Sequence, residues 1–474
     1  MNDQPSPQGN DVPPFDASQA HHATPRIRPT IAGQAVPVKT ADGQQAMMLA
    51  LGDRSQLAER QVVTNPLAQF MLGHMQGELG IDAIVEQAKA SAAQQPNVPE
   101  QAVAAITPEN VRALVAQLDH AGLLEGPTFD AMLTKLRADF DNADTLPPGA
   151  TASIADALAQ QSMPEGEQAT PEQLAEKGPA LLAQQFDAWI DQTLQPVDDP
   201  AFDALPKAII APHLDYFRGW PNYAHTYGRC RVVDKPARVV ILGTNHFGMG
   251  SGVVGCDKGF ESPLGTCAYD DDFAGILAAE LGEDNTAKLF EHRYDHEREH
   301  SIELHIPWIR HVFAGDDGNA PKVFAALVHD PSRANGASYD GNGLDLQPFV
   351  DALKAAIAKA DGPTLVVASA DLSHVGKQFG DQQSLVGDDD ESKAARDKVL
   401  QHDREMLELV TGAKASELVA SIAWQQNPTR WCSVGNMVAT MLVTDAQEVR
   451  VLNHTATADQ QSMAMITSAA AVIE

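Results

Sequence analysis

ARVVILGTNH, residues 237–246, is the stretch that decides the fold class. Its apolar run Val239–Leu242 passes through Gly243, Thr244 and Asn245 and closes on His246, the pattern of a short buried strand. KAIIAPH (207–213), KVFAALVHD (322–330) and TLVVASADLSH (364–374) share that texture. Between them lie helical patterns, DDFAGILAAEL (271–281) and LQPFVDALKAAIAKA (346–360). Two further strand candidates, EVRVLNHTA and SMAMITSAAAVIE, end the chain. Alternation of this kind predicts an α/β fold, a layered sheet flanked by helices.

Three of these strands run into histidine in the same way: His213, His246, and His374 with Asp371 three residues earlier. Ligands of open α/β sheets bind outside the carboxyl ends of strands, so the three side chains can meet in one crevice. One strand-end histidine alone is usually structural; three at equivalent positions point to a site, because imidazole serves both as metal ligand and as acid/base near neutrality.

Other clusters are less decisive. In REHSIELHIPWI (298–309), helical spacing puts Glu299 and Glu303 on one face with His300 and Leu304 beside them. These are either carboxylates that orient ligands or move protons, or a solvated helix face. HEREH (296–300) spells the H-E-x-x-H zinc pattern, but its surroundings lack the apolar face that motif needs. Cys432, in TRWCSVGNMVATML, precedes an apolar helix, where a thiol is either a lowered-pKa ligand or nucleophile, or inert. Cys230, Cys256 and Cys267 carry no motif, and FESPLGTCAYD (260–270) reads as a turn over the crevice.

Composition limits the alternatives. The chain has 474 residues, 33 Lys+Arg against 64 Asp+Glu, a formal net charge of −31, and 43% hydrophobic residues. This excess of acid argues against a nucleic-acid binder and against anionic membrane surfaces. Four cysteines without a C-x-x-C pair exclude a disulfide-stapled fold, no apolar run is long enough for a membrane span, and the first residues do not form a secretory signal. The expected location is cytoplasmic.

Four segments are expected along the chain. Residues 1–25, rich in Pro, Gln, Asp and Asn, read as a disordered tail. Residues 26–140 read as a small winged-helix-like domain: a hairpin at 41–55, a helix within 66–90, and a helix that Thr107 and Pro108 start and Gly126 ends. Its near-balanced charge favours protein or peptide docking over DNA. Residues 141–204 read as a linker with a lead-in helix, and 205–474 as the α/β domain.

Taken in order, APHLDYFRGWPNYAHTY, VVILGTNHFG, ESPLGTCAYD, EHSIELHIPWI, VVASADLSHVG and WCSVGN resemble the successive blocks of the Memo family, whose bacterial members are called AmmeMemoRadiSam system protein B. The resemblance covers roughly residues 205–474. More loosely, RIRPTIAGQAV and the pattern around LDHAGLLEGPTF resemble the PqqD-like, winged-helix-like extension of some members. The family resemblance implies a fold like that of class III extradiol dioxygenases. By block, it places a metal on His213, His246 and Cys432 and makes Asp371 and His374 the catalytic pair. The cysteine replaces the dioxygenases' carboxylate ligand, which argues against ordinary catechol cleavage.

Two histidines and a thiolate suit Fe(II) or Cu(I), with Zn as an alternative occupant. The family's name implies an AMMECR-type protein and a radical SAM enzyme as partners. Three functions fit this reading: a metal-dependent redox enzyme, a non-catalytic adaptor whose pocket holds a peptide or small-molecule ligand, and a metal carrier.

Overall fold

A computed structural model describes residues 12–39, 45–383, 385–460 and 462–474, and the chain divides into two units, Met1–Asn142 and Ala143–Glu474. In the first unit, strands β1 (Ile31–Lys39), β2 (Gln45–Asp53) and β3 (Val62–Thr64) form an antiparallel sheet in that order, after a short helix α1 (Ala20–Ala23). Helices α2 (Ala68–Leu72), α3 (Ile81–Ala93), α4 (Glu100–Ala104), α5 (Pro108–His120) and α6 (Pro127–Asn142) follow. Its core gathers Leu51, Val62, Met75, Ile84, Val115 and Leu118.

Several local expectations need correcting here. Of the tail expected at 1–25, the first eleven residues lie outside the described residues, but the rest is anchored. Phe15 stacks on buried His22, which also takes a hydrogen bond from the Asp16 N–H (2.9 Å). The strand expected to fold back on itself at 41–55 pairs instead with β1, Lys39 opposite Gln45. Pro37 and Gly33 disguise β1 as a loop, yet a proline is tolerated because β1 is an edge strand. The helix expected across 66–90 breaks into α2 and α3, where Gly77 adopts φ +86°. Thr107 does cap α5, accepting from Asn110 N–H, but the helix ends at His120 rather than at Gly126.

The second unit begins with β4 (Thr145–Leu146), α7 (Ala150–Gln161) and α8 (Pro171–Leu194). Most of the expected linker is therefore helical and built in: Thr170 and Gln173 form a capping box, and Leu182, Phe186 and Ile190 are buried. Then come β5 (Ala208–Ala211), α9 (Tyr216–Tyr227), β6 (Arg238–Thr244), β7 (Val254–Cys256), β8 (Gly259–Phe260), α10 (Asp271–Leu281), α11 (Glu283–Phe290), α12 (His300–Glu303) and α13 (Ile306–Phe313). β9 (Lys322–Val328), α14 (Leu346–Lys359), β10 (Thr364–Ser369), β11 (Asp371–Gly376), α15 (Asp390–Thr411), α16 (Ala415–Gln425), α17 (Val434–Val443), β12 (Arg450–Asp459) and β13 (Ala464–Ile473) complete it.

The eight-stranded sheet runs β11-β13-β5-β10-β6-β9-β7, with β12 also on β13. β5, β10, β6 and β9 are mutually parallel, and the outer strands are antiparallel to their neighbours. Alternate residues of the central strands serve opposite faces. Ile210, Val240, Leu242, Val366 and Ala368 join the core with α14 and α17, while Ile209, Val239, Ile241 and Val367 between them are equally buried. This explains the unbroken apolar runs and confirms an α/β sheet flanked by helices. TLVVASADLSH is not one strand, however. β10 stops at Ser369, and Asp371–Gly376 turns away to pair with β13, so His374 lies within β11 rather than at a parallel strand's end.

Tyr223 and Tyr227, both stacked on Trp308, flank His305, whose Nδ1 shares a hydrogen bond with the Tyr227 hydroxyl (2.9 Å). Burial pushes His305 down to about 3. The unfolded chain binds a proton there below roughly pH 6.5 and the folded chain does not, so this group's contribution to stability is lost as pH falls from that value toward the folded pKa. His305→Gln should make the pH dependence of stability over that range shallower by up to about 1.4 kcal/mol per pH unit. Urea unfolding of both proteins at pH 7 and 5 measures it; parallel pH dependences would remove His305 as the cause.

Candidate metal centre

Because β10 lies between β5 and β6, the carboxyl ends of three parallel strands stand side by side. The chain leaves β5 through Pro212 to His213 and leaves β6 through Asn245 to His246, while Ser369 ends β10 between them. Gly243 permits the close approach of α12, since a Cβ there would meet Ser301 Oγ and Ile302 Cδ1 at 2.6 Å. Ser301 fixes α12 to the sheet: its Oγ accepts from Thr244 N–H (3.0 Å) and donates to Thr244 O (3.1 Å).

The hydrogen bonds determine which way each imidazole offers its lone pair. Ser369 donates its hydroxyl to Ser301 O (2.6 Å), so its oxygen accepts from His213 Nδ1 (3.0 Å). His213 Nε2 is left facing the Cys432 thiol at 3.3 Å and Asp371 Oδ2 at 3.6 Å. His246 Nδ1 donates to Glu299 (3.0 Å), and His300 Nδ1 lies 3.3 Å from the same carboxylate. The His246 and His300 rings stack with centroids 4.8 Å apart, and His213 stands nearly perpendicular to both. His213, His246 and His300 offer ring nitrogens all within 4.8 Å of one another, a spacing that can hold one metal ion. Imidazoles with their remote nitrogens held by carboxylate or hydroxyl, beside a thiol, fit a borderline or soft metal better than Mg or Ca. His213 is buried, while His246 and His300 are partly exposed, so the site opens on their side.

Electrostatics sorts these groups. Burial would push the Glu299 carboxyl up, but His246, His300 and the hydrogen bonds to it bring it down to about 2. Burial would likewise lower His246, yet Glu299 and the Cys432 thiol hold it well above its usual value. Burial pushes Asp371 up to about 7 although it accepts the His213 N–H (3.2 Å). Burial lowers His213 and His300, and takes His374 down to about 4. His374 donates Nδ1–H to Leu372 O (3.0 Å) and feels the charge on His246.

Residues 173–472 match the family model described as Memo-like protein. The chain belongs to the Memo-like family. It is similar to MEMO1 family proteins of Methanopyrus kandleri (27% identical over 242 residues, 50% of this chain and 71% of the relative) and Methanothermobacter thermautotrophicus (30% over 209 residues, 43% and 67%). It is also similar to one of Thermotoga maritima (28% over 255 residues, 54% and 77%).

Within this Memo-like protein, the structure draws together His213, His246, Cys432 and Asp371, with His374 nearby. It adds His300, which its sequence context disguised as part of a charged helix. Of the two carboxylates, Glu299 holds the imidazoles, with its side chain 1% exposed, whereas the partly exposed Glu303 accepts from the first turn of α7. The HEREH reading fails on geometry. His296 sits in a 3₁₀ turn and points to Val254 O (3.1 Å), and Glu299, in extended conformation, interrupts the helix before His300. Cys230, Cys256 and Cys267 are buried free thiols, and burial raises all three, Cys230 and Cys267 to about 12. The 260–270 turn is gripped by Arg310 on α13, whose Nε donates to Leu264 O (3.1 Å). No helix among the described residues is long and apolar enough to cross a membrane.

Glu299→Gln keeps the shape of the side chain but removes the anion. His246 should then titrate at a clearly lower pH in the NMR spectrum of metal-free protein, while His305 is unmoved. An unchanged His246 curve would mean that Glu299 is not what holds its proton.

Proposed function

We propose that the C-terminal unit is a metal-dependent redox protein with a class III extradiol dioxygenase-like scaffold, binding Fe(II) or Cu(I) through His213, His246 and Cys432 with His300 alongside, and accepting Zn as an alternative occupant. One observation carries the reading: three imidazoles bring ring nitrogens within 4.8 Å of one another, with His213 facing the Cys432 thiol. The negative field that raises His246 also favours a cation at that corner. A bound Fe or Cu ion would supply one-electron chemistry and a position for O₂ or substrate.

The chain's own residues then have definite tasks. Ser369 and Glu299 orient the rings. Asp371, near 7 and beside His213, holds or releases a proton at neutral pH, while His374, pushed down to about 4, is neutral there and offers a ring nitrogen as a hydrogen-bond acceptor or ligand. Burial of His213 and Asp371 keeps water from that wall.

In the same proposal the N-terminal unit is a winged-helix-like docking module, and the protein acts with an AMMECR-type protein and a radical SAM enzyme in an AmmeMemoRadiSam system. An adaptor reading, without turnover, draws support from that unit's sheet, whose β1 is an edge strand and whose β2 exposes Met47.

Anaerobically purified wild type should contain stoichiometric Fe or Cu, and a His213→Ala/His246→Ala protein should have lost it while keeping its fold. Wild type that stays metal-free even after loading would leave the adaptor reading in its place. Cys432→Ser should weaken Cu(I) binding roughly tenfold or more in a competition titration, because hydroxyl replaces a soft thiolate poorly. Equal affinity would remove Cys432 from the ligand set.

A further inference from the structure

Glu303 stands where the candidate site meets chain that lies ahead of the family-matched region. Helix α7 starts after Gly149, which has no side chain with which to cap it. Glu303 supplies the cap. Gly149 and Thr151 N–H donate to its Oε1 at 2.9 and 2.7 Å, Ala150 N–H donates to Oε2 at 3.1 Å, and the Thr151 hydroxyl donates to Oε1 at 2.7 Å. The otherwise unpaired N–H groups and the positive end of the helix both favour a carboxylate there. Close by, β4 pairs with β8, and the Thr145 hydroxyl donates to Glu261 (2.5 Å). Residues 145–151 are thus tied down at two points, and α7 packs along α8.

The other end of this contact is α12, only four residues long, with His300 first and Glu303 last. One turn of helix cannot hold its own orientation. The sheet fixes it at Ser301, through Thr244 and Ser369, and α7 fixes it at Glu303. His300 and Glu303 are neighbours on the helix surface, so rotation at one moves the other.

We propose that Glu303 is a positioning residue for His300, and that the α7 segment, upstream of residues 173–472, completes the geometry of the metal site. This rests on the reading of His300 as one of the metal-holding imidazoles.

The test is a Co(II) titration of the metal-free full-length chain, followed by visible absorption, in wild type, Glu303→Gln, His300→Ala and the double variant. Glu303→Gln should weaken Co(II) binding about tenfold and alter the visible band, as loss of a ligand-orienting contact does. In the His300→Ala background it should add nothing, since its effect passes through that ring. Equal weakening in both backgrounds would make Glu303 merely structural and overturn the proposal, as would unchanged binding in Glu303→Gln. Wild type that takes up no Co(II) would instead bring down the reading of the site, and this proposal with it. Thr151→Val deletes one of the four donors and keeps the charge. It should show the same dependence on His300 with a smaller loss, which separates positioning from electrostatics and serves if Glu303→Gln does not fold.

Discussion

The arrangement around the strand ends depends on one buried anion. Glu299 accepts from the His246 backbone N–H (2.8 Å), the His246 ring and the Ser301 N–H (2.8 Å), and it touches the His300 ring. A carboxylate this buried is tolerable only because it is fully partnered. Hydrogen bonds to a charged group contribute roughly 1.5–3 kcal/mol each, and removing one partner of a buried pair costs about 3–5 kcal/mol. The loop after β6, the start of α12 and two rings are therefore not independent parts. They share a single acceptor, and none can shift without leaving it short of a donor.

A second carboxyl, a short distance away across His213, behaves in the opposite way. Asp371 is as buried as Glu299, but burial outweighs the His213 and Leu214 N–H groups and the charges of His246 and Arg218, and lifts it to about 7. Glu299, at about 2, is a fixed charge that orients. Asp371 can change its protonation near neutrality. Two like side chains acquire opposite protonation behaviour from their surroundings alone.

The sheet was legible because strands covered on both faces must be apolar at every position, which is why the segments of β5, β6, β9 and β13 stand out. His213 and His246 followed from those strands by counting to the end. Asp371 and Cys432 were singled out by their place before His374 and before an apolar helix, and the family resemblance supplied their roles. What escaped depended on contacts distant in sequence. Nothing in TLVVASADLSH marks the break after Ser369, which comes from the pairing of β11 with β13. His300 looked like one more polar residue in a charged run, because the break at Glu299 is set by its bonds to the loop after β6. The lead-in helix expected within the linker is present as part of α8; what was not legible was α7 and the earlier start of α8 at Pro171, where Thr170 and Gln173 form a capping box within Pro- and Gln-rich surroundings.

The cap on α7 also bears on how this chain comes to be folded. Glu303 follows Gly149 by 154 residues. When the chain is made from its N-terminus, α7 emerges with its first turn unfinished and waits for α12, so a helix early in the sequence is completed late. Contacts closed over such a span carry a loop-closure cost that a local cap avoids, and they slow folding. Sealing of this early helix is thereby tied to the docking of α12, which begins at His300, against the ends of the strands.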